Sequence, residues 1–189
     1  MVEKKIKWMG FGLLFIAVVS RLIPHIWNFT AVESIALFAG AYLSSRYLAF
    51  IIPILSVYIT DLFLNNVIHR SFYPTDAGFI WFSNYMIYGA IALALIVFIG
   101  RFLKNKVQIK RVFIAALSGS LVFFVVSNFG VWIHSSSYTK DINGLILCYT
   151  LALPFFKNSL FSNLMFTAVL FSSYEYFRYR SLKASKESN

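Results

Sequence analysis

Apolar residues in this chain come in runs about as long as a lipid bilayer is thick, and that length constrains its fold more than any motif does. A helical crossing needs about 20 largely apolar residues, within a range of about 17–25. On that measure the sequence predicts spans over 8–22, 31–45, 46–66, 78–100, 111–133 and 158–177. The third opens after a tight "SSR" corner. The first two are short enough to thin the bilayer locally or to be flanked by loops folded back into the protein. The segment 142–154, "INGLILCYTLALP", has 13 residues and suits a re-entrant or interfacial helix better than a full crossing. The expected fold is therefore an all-α integral membrane protein, a six-transmembrane-helix bundle with a short re-entrant or interfacial helix near 142–154. Residues 1–182 form a single polytopic membrane domain, and 183–189 form a polar cytoplasmic tail that frays.

Composition agrees: 59% of residues are hydrophobic and 13% charged, against about 25% charged in soluble domains. The net charge of +10 does not point to nucleic acid, because the basic residues sit between apolar segments rather than on one soluble face. With the N-terminus inside, Lys4, Lys5, Lys7, Arg46, Arg101, Lys104, Lys106, Lys110, Arg111, Arg178, Arg180, Lys183 and Lys186 fall on the inner side. Arg21, Arg70, Lys140 and Lys157 fall outside. This positive-inside bias fits six spans with both termini cytoplasmic, in a bacterial inner membrane. The basic loop and tail anchor that topology and contact anionic headgroups of the lipid bilayer. The N-terminus, "MVEKKIKWMGFGLLFIAVVS", looks like a signal peptide but lacks an A-x-A site and precedes further spans, so it is expected to stay as the first helix. Cys148 is the single cysteine and forms no internal disulfide.

An ionisable residue inside hydrocarbon is a functional-site hypothesis by default. Asp61 lies near the outer end of span three, in "SVYITDLFLNN", and Arg21 and His25 lie on the same side in "RLIPHIWNFT". Arg21 and Asp61 form a plausible pair across helices, since guanidinium and carboxylate match in planar geometry. Pro24 ends span one, and Asn28 or Thr30 can cap span two. Glu33, in the first turn of span two, reads as a partner of the helix dipole at the interface. Asn84 with Tyr85 and Tyr88, Ser127 and Asn128 with Trp132, and Asn158 with Ser162 bring polar or aromatic groups to the outer half of three more spans. Ser159 and Asn163, four apart, share a helix face. Convergent polar groups among aromatic walls describe a small-molecule pocket. Arg21, His25, Asn28, Asp61, Asn84, Asn128, Trp132 and Asn158 are its candidate lining residues.

Catalytic machinery is not expected. The sequence has no G-x-S-x-G, H-E-x-x-H, Walker A loop or G-x-G-x-x-G. His25, His69 and His134 have no acid at ligand-like spacing. Hence no catalytic residue, no metal and no cofactor is assigned.

Several stretches resemble a known family. "RLIPHIWNFTAVESIALFAGAYL" at 21–43, Asp61-Leu62, "SNFGVW" at 127–132 and "CYTLALPFFKN" at 148–158 are similar, in that order, to domain-of-unknown-function family 6580, small bacterial membrane proteins described only as candidate transport proteins. The chain departs from that pattern at Ile26 and Trp27, where the family tends to have prolines, and at Asn163, where it tends to have an acid. Size and layout are more remotely similar to the substrate-binding S components of energy-coupling-factor (ECF) transporters. That likeness implies six helices, a first outer loop acting as a lid, a site near the outer face, and an ATPase and coupling module as partner. The pair of alanines four apart that would dock such a module in span one is not clean, because Ala17 has Leu13 and Arg21 at those positions. The resulting expectation is a transport protein that binds a small organic solute toward the outer leaflet under a lid of residues 21–30. The competing expectation is a non-catalytic scaffold whose polar groups serve helix packing.

Overall fold

The computed structural model describes residues 2–23, 27–74, 76, 78–104 and 107–187. The regular structure among these residues is helical, with α1 (Val2–Leu22), α2 (Val32–Tyr42), α3 (Arg46–Phe63), α4 (Asn84–Leu103), α5 (Ile109–His134) and α6 (Ile142–Glu187). The Ser45 hydroxyl caps α3 by accepting from Leu48 N–H. A π-helical turn, Leu64–Ile68, continues α3, and Asn66 there pins the next loop by exchanging hydrogen bonds with the Ile80 backbone. Four of these segments are long and apolar enough to cross a membrane: Arg46–Ile68, Asn84–Leu103, Ile109–His134 and Ile142–Ser181. Their outward faces are greasy at helical spacing. Ile87, Ile91, Leu95, Phe98 and Phe102 of α4 are exposed, whereas Ala92, Leu93, Ile96, Val97 and Gly100 are buried. An apolar exterior around a small-residue interior is how a bundle meets lipid.

The expected six-span layout is corrected at three places. Span two is an 11-residue helix, about 16 Å long and too short to cross alone. It lies at the centre of the bundle in contact with all five other helices, and Val32 to Ala41 are all buried. Its N-cap is Ala31, without a side-chain cap, rather than Asn28 or Thr30. The Ala31 N–H donates instead to Ser20 Oγ. Span one lies within α1, which runs Val2–Leu22. Finally, 142–154 is no separate re-entrant helix, since it forms the first turns of a 46-residue α6 that runs through Pro154 and reaches Glu187. The helix absorbs the proline by leaving one carbonyl without its i+4 donor. The polar tail from residue 183 is likewise helical to Glu187 rather than frayed.

Two glycines set the position of α2. A Cβ on Gly40 would lie 2.3 Å from the carbonyl oxygen of Val97, and one on Gly100 would lie 2.3 Å from that of Leu37. Only hydrogen side chains allow α2 and α4 to cross this closely. From the crossing toward the start of α2, Ile35, Leu37, Leu93, Ile96, Val97 and Ala116 make the core. At the far end, Phe38 meets Phe171 and Tyr174 edge to face, Tyr42 packs tilted against the same two rings, and the Tyr42 hydroxyl donates to Glu175.

Asp141 starts α6. Its Oδ1 accepts from Gly144 N–H and from the Thr139 hydroxyl, each at 2.8 Å, a helix cap. These bonds, the Gly144 amide first, hold this exposed carboxyl below the usual carboxylate range. A carboxyl lowered by folding stabilises the fold above its unfolded value, and that help is lost as pH falls through the folded value. Protection of the Gly144 amide from hydrogen exchange should therefore drop on acidification through that window, and at neutral pH in Asp141→Ala. Equal exchange in D141A and the parent would remove the cap.

Candidate functional site

The shortness of α2 leaves a gap in the bundle. Glu33, in its first turn, meets Ser120 of α5, and Ser120 lies about four turns, or about 21 Å, before the end of α5 at His134. The interior above α2 is thus not filled by α2 itself. Residues 27–31 descend into it, and cavities remain around them.

Three cavities adjoin there, and Asn28 lines them all. The first, about 110 Å³, is bounded by Arg21, Thr30, Glu33, Phe123 and Ser159. The second, about 350 Å³, lies beneath Trp27 and is closed by Ile23, Leu64, Ile68 and His69. The third, about 240 Å³, is walled by Phe124, Ser127, Asn128, Phe155 and Phe156. Asn28 has φ of 61°, left-handed backbone that asparagine tolerates better than most residues. That turn carries the chain from Trp27 down to the start of α2. Trp27 stacks on His69 with ring centroids 5.9 Å apart, and Asn158 Nδ2 donates to the Trp27 carbonyl at 3.1 Å.

Arg21 and Asp61 are paired. Arg21 Nη2 donates to Asp61 Oδ1 at 2.7 Å, while Nη1 donates to Thr60 Oγ1 at 2.6 Å and to the Val57 carbonyl at 3.1 Å. The guanidinium thereby ties the last turn of α1 to α3 at the cavity edge. The remaining candidates divide. Asn128 lines the third cavity, but its Nδ2 donates back to Phe124 O within its own helix. Asn158, on α6, holds the segment before α2 through the Trp27 carbonyl. Asn84 stands at the start of α4, its Nδ2 3.4 Å from His134 Nδ1, and lines none of the three cavities. Trp132 Nε1 donates to Thr139 O beneath Lys140, so it organises the α5–α6 turn. His25 lies outside the described residues.

The buried acid is one that the sequence placed at the interface. Glu33 is buried rather than interfacial, with Oε2 accepting from Ser120 Oγ at 2.8 Å and Oε1 accepting from Ser159 Oγ. Asn163 Nδ2 donates to Ser120 Oγ and to the Ala116 carbonyl, and Thr167 Oγ1 donates to Asn163 Oδ1. All of these side chains are buried. The four-residue spacing of Ser159, Asn163 and Thr167 on α6 signals such a strip; their partner across the bundle does not show in any local pattern.

Residues 3–185 match the model of a family described as a family of unknown function (DUF6580). No curated protein and no solved structure matches the chain, so the likeness to energy-coupling-factor subunits rests on size and layout.

Proposed function

This chain belongs to the family of unknown function DUF6580, and we propose that it is a non-catalytic membrane transport protein that binds a small organic solute. The solute enters from the outer leaflet of a bacterial inner membrane, with both termini cytoplasmic as the basic residues favour. The reading is carried by one observation, the three cavities joined at Asn28 above a helix that starts deep in the bundle. A short internal helix whose N-terminus opens on a cavity is a recurrent way to build a solute site in a membrane. Residues 27–30, held by Asn158 and His69, act as its lid. A coupling module with an ATPase would supply the energy if the layout shared with S components extends to partners.

The scaffold reading draws on Ser127 and Asn128, which donate to Phe123 O and Phe124 O in their own helix and so need no ligand. Thermal-shift and native mass spectrometry of the purified protein against vitamins, nucleobases and amino acids separate the two. A stabilising compound is expected, and Asn28→Gly, which keeps the left-handed turn, should weaken it about three- to tenfold, the worth of one neutral hydrogen bond. No compound binding, with uptake unchanged in Asp61→Asn cells, favours the scaffold.

A further inference from the structure

We infer that the first cavity takes the ammonium group of a small amine, with Glu33 as its counter-ion. This rests on the solute-binding reading above and names the chemistry of its deepest site. The cavity touches two charged side chains, Arg21 and Glu33. The guanidinium is already neutralised by Asp61 and satisfied by Thr60 and Val57. Glu33, 6% exposed, is held by two serine hydroxyls and enters no ion pair among the described residues. Hydroxyls orient a carboxylate without cancelling its charge. The N-terminus of α2 offsets only about half a unit. A carboxylate buried in hydrocarbon is costly without a cation, and a bound ammonium would supply that charge.

Each carboxylate oxygen has accepted one hydrogen bond and can accept another, which leaves two acceptors for an ammonium. Beside the polar Asn28, Thr30 and Ser159, the wall presents the apolar side chains Val32, Val57, Leu93 and Phe123. Phe123 offers a ring to a cation, an added attraction where water is excluded. A space of about 110 Å³ is somewhat smaller than the 150 Å³ cavity that holds benzene, so the part of the solute seated here has about five heavy atoms. Among the described residues no cluster of three His, Cys, Asp or Glu could hold a metal ion.

The test uses three molecules of one shape, isobutylamine, isobutanol and isobutyrate, added to the full chain in nanodiscs and read by thermal shift. Isobutylamine is expected to raise the melting temperature and to bind at least tenfold more tightly than isobutanol. In Glu33→Gln, which keeps size and hydrogen bonding, that preference should vanish. A second readout needs no variant: isobutylamine should protect Glu33 of the parent protein from carbodiimide labelling, read by peptide mass. Equal binding of the alcohol, binding of isobutyrate alone, or an unchanged amine preference in E33Q would overturn the amine assignment and leave the solute-binding reading standing. Failure of all three probes together with the vitamin, nucleobase and amino-acid panel would overturn both.

Discussion

Alanine at Gly100 is expected to destabilise the protein by about 3 kcal/mol, the upper part of the usual range for overpacking. The added methyl would sit 2.3 Å from the Leu37 carbonyl oxygen, with the Gly40 Cα at 3.0 Å on its other side. Both neighbours are backbone, so no side chain can rotate away and the two helices must separate. Separation would pull α2 off Leu93, Ile96 and Val97, the apolar contacts that hold it centrally. Gly40→Ala meets the same crossing from the opposite side, at 2.3 Å from the Val97 carbonyl oxygen. Once the helices have parted for one methyl, the second finds room. The double variant should thus lose clearly less than the sum of the two singles. Reversible unfolding in mixed micelles measures all three, and strict additivity would mean that the close crossing is not the cause.

Arg21→Met is expected to cost about 3 kcal/mol, near the lower end for breaking a buried pair. It strands Asp61 and leaves Thr60 Oγ1 and the Val57 carbonyl without the guanidinium. The side chains are 19% and 17% exposed, which allows some water to screen the orphaned carboxylate and keeps the loss from being larger. Asp61→Leu in the same chain should restore most of the stability, because removing the stranded charge removes the main penalty. The recovery, measured as a double-mutant cycle by the same unfolding assay, reports the coupling directly. A cycle that closes at zero would reduce Arg21 to a snorkelling side chain.

That pair was legible in the sequence because charge is scarce there. With few ionisable residues in the apolar runs, the alternation of spans puts Arg21 and Asp61 at the same end, and chemistry does the rest. Glu33 was not legible, since hydropathy treats 31–45 as one more crossing and a crossing would set its first turn at the interface. What moves Glu33 inward is that α2 is only 11 residues long and is surrounded by other helices, a tertiary fact with no local signature. Gly40 and Gly100 specify that burial, yet each looks in isolation like any small residue in an apolar run. Residues 142–154 misled for the opposite reason. Pro154 and Lys157 look like punctuation, whereas within a packed bundle a helix can carry a proline without breaking. The segment before α2 was half legible: Pro24 and Asn28 announce a turn, but the descent of residues 27–31 to meet a recessed helix needs the fold.

The length of α6 has a mechanical consequence. Between Ser159, on the cavity wall, and Glu187 the helix contains neither proline nor glycine, so it behaves as one stiff rod with a basic C-terminal arm. A tilt of about 5° at Ser159 displaces residue 183 by about 3 Å over the intervening length of about 36 Å. The relation also runs backwards. A force applied to the arm reaches Ser159 and Asn163 with no joint to absorb it, and these are the residues that grip Glu33 and Ser120. The cavity floor and the distal end of the chain are therefore a single moving part.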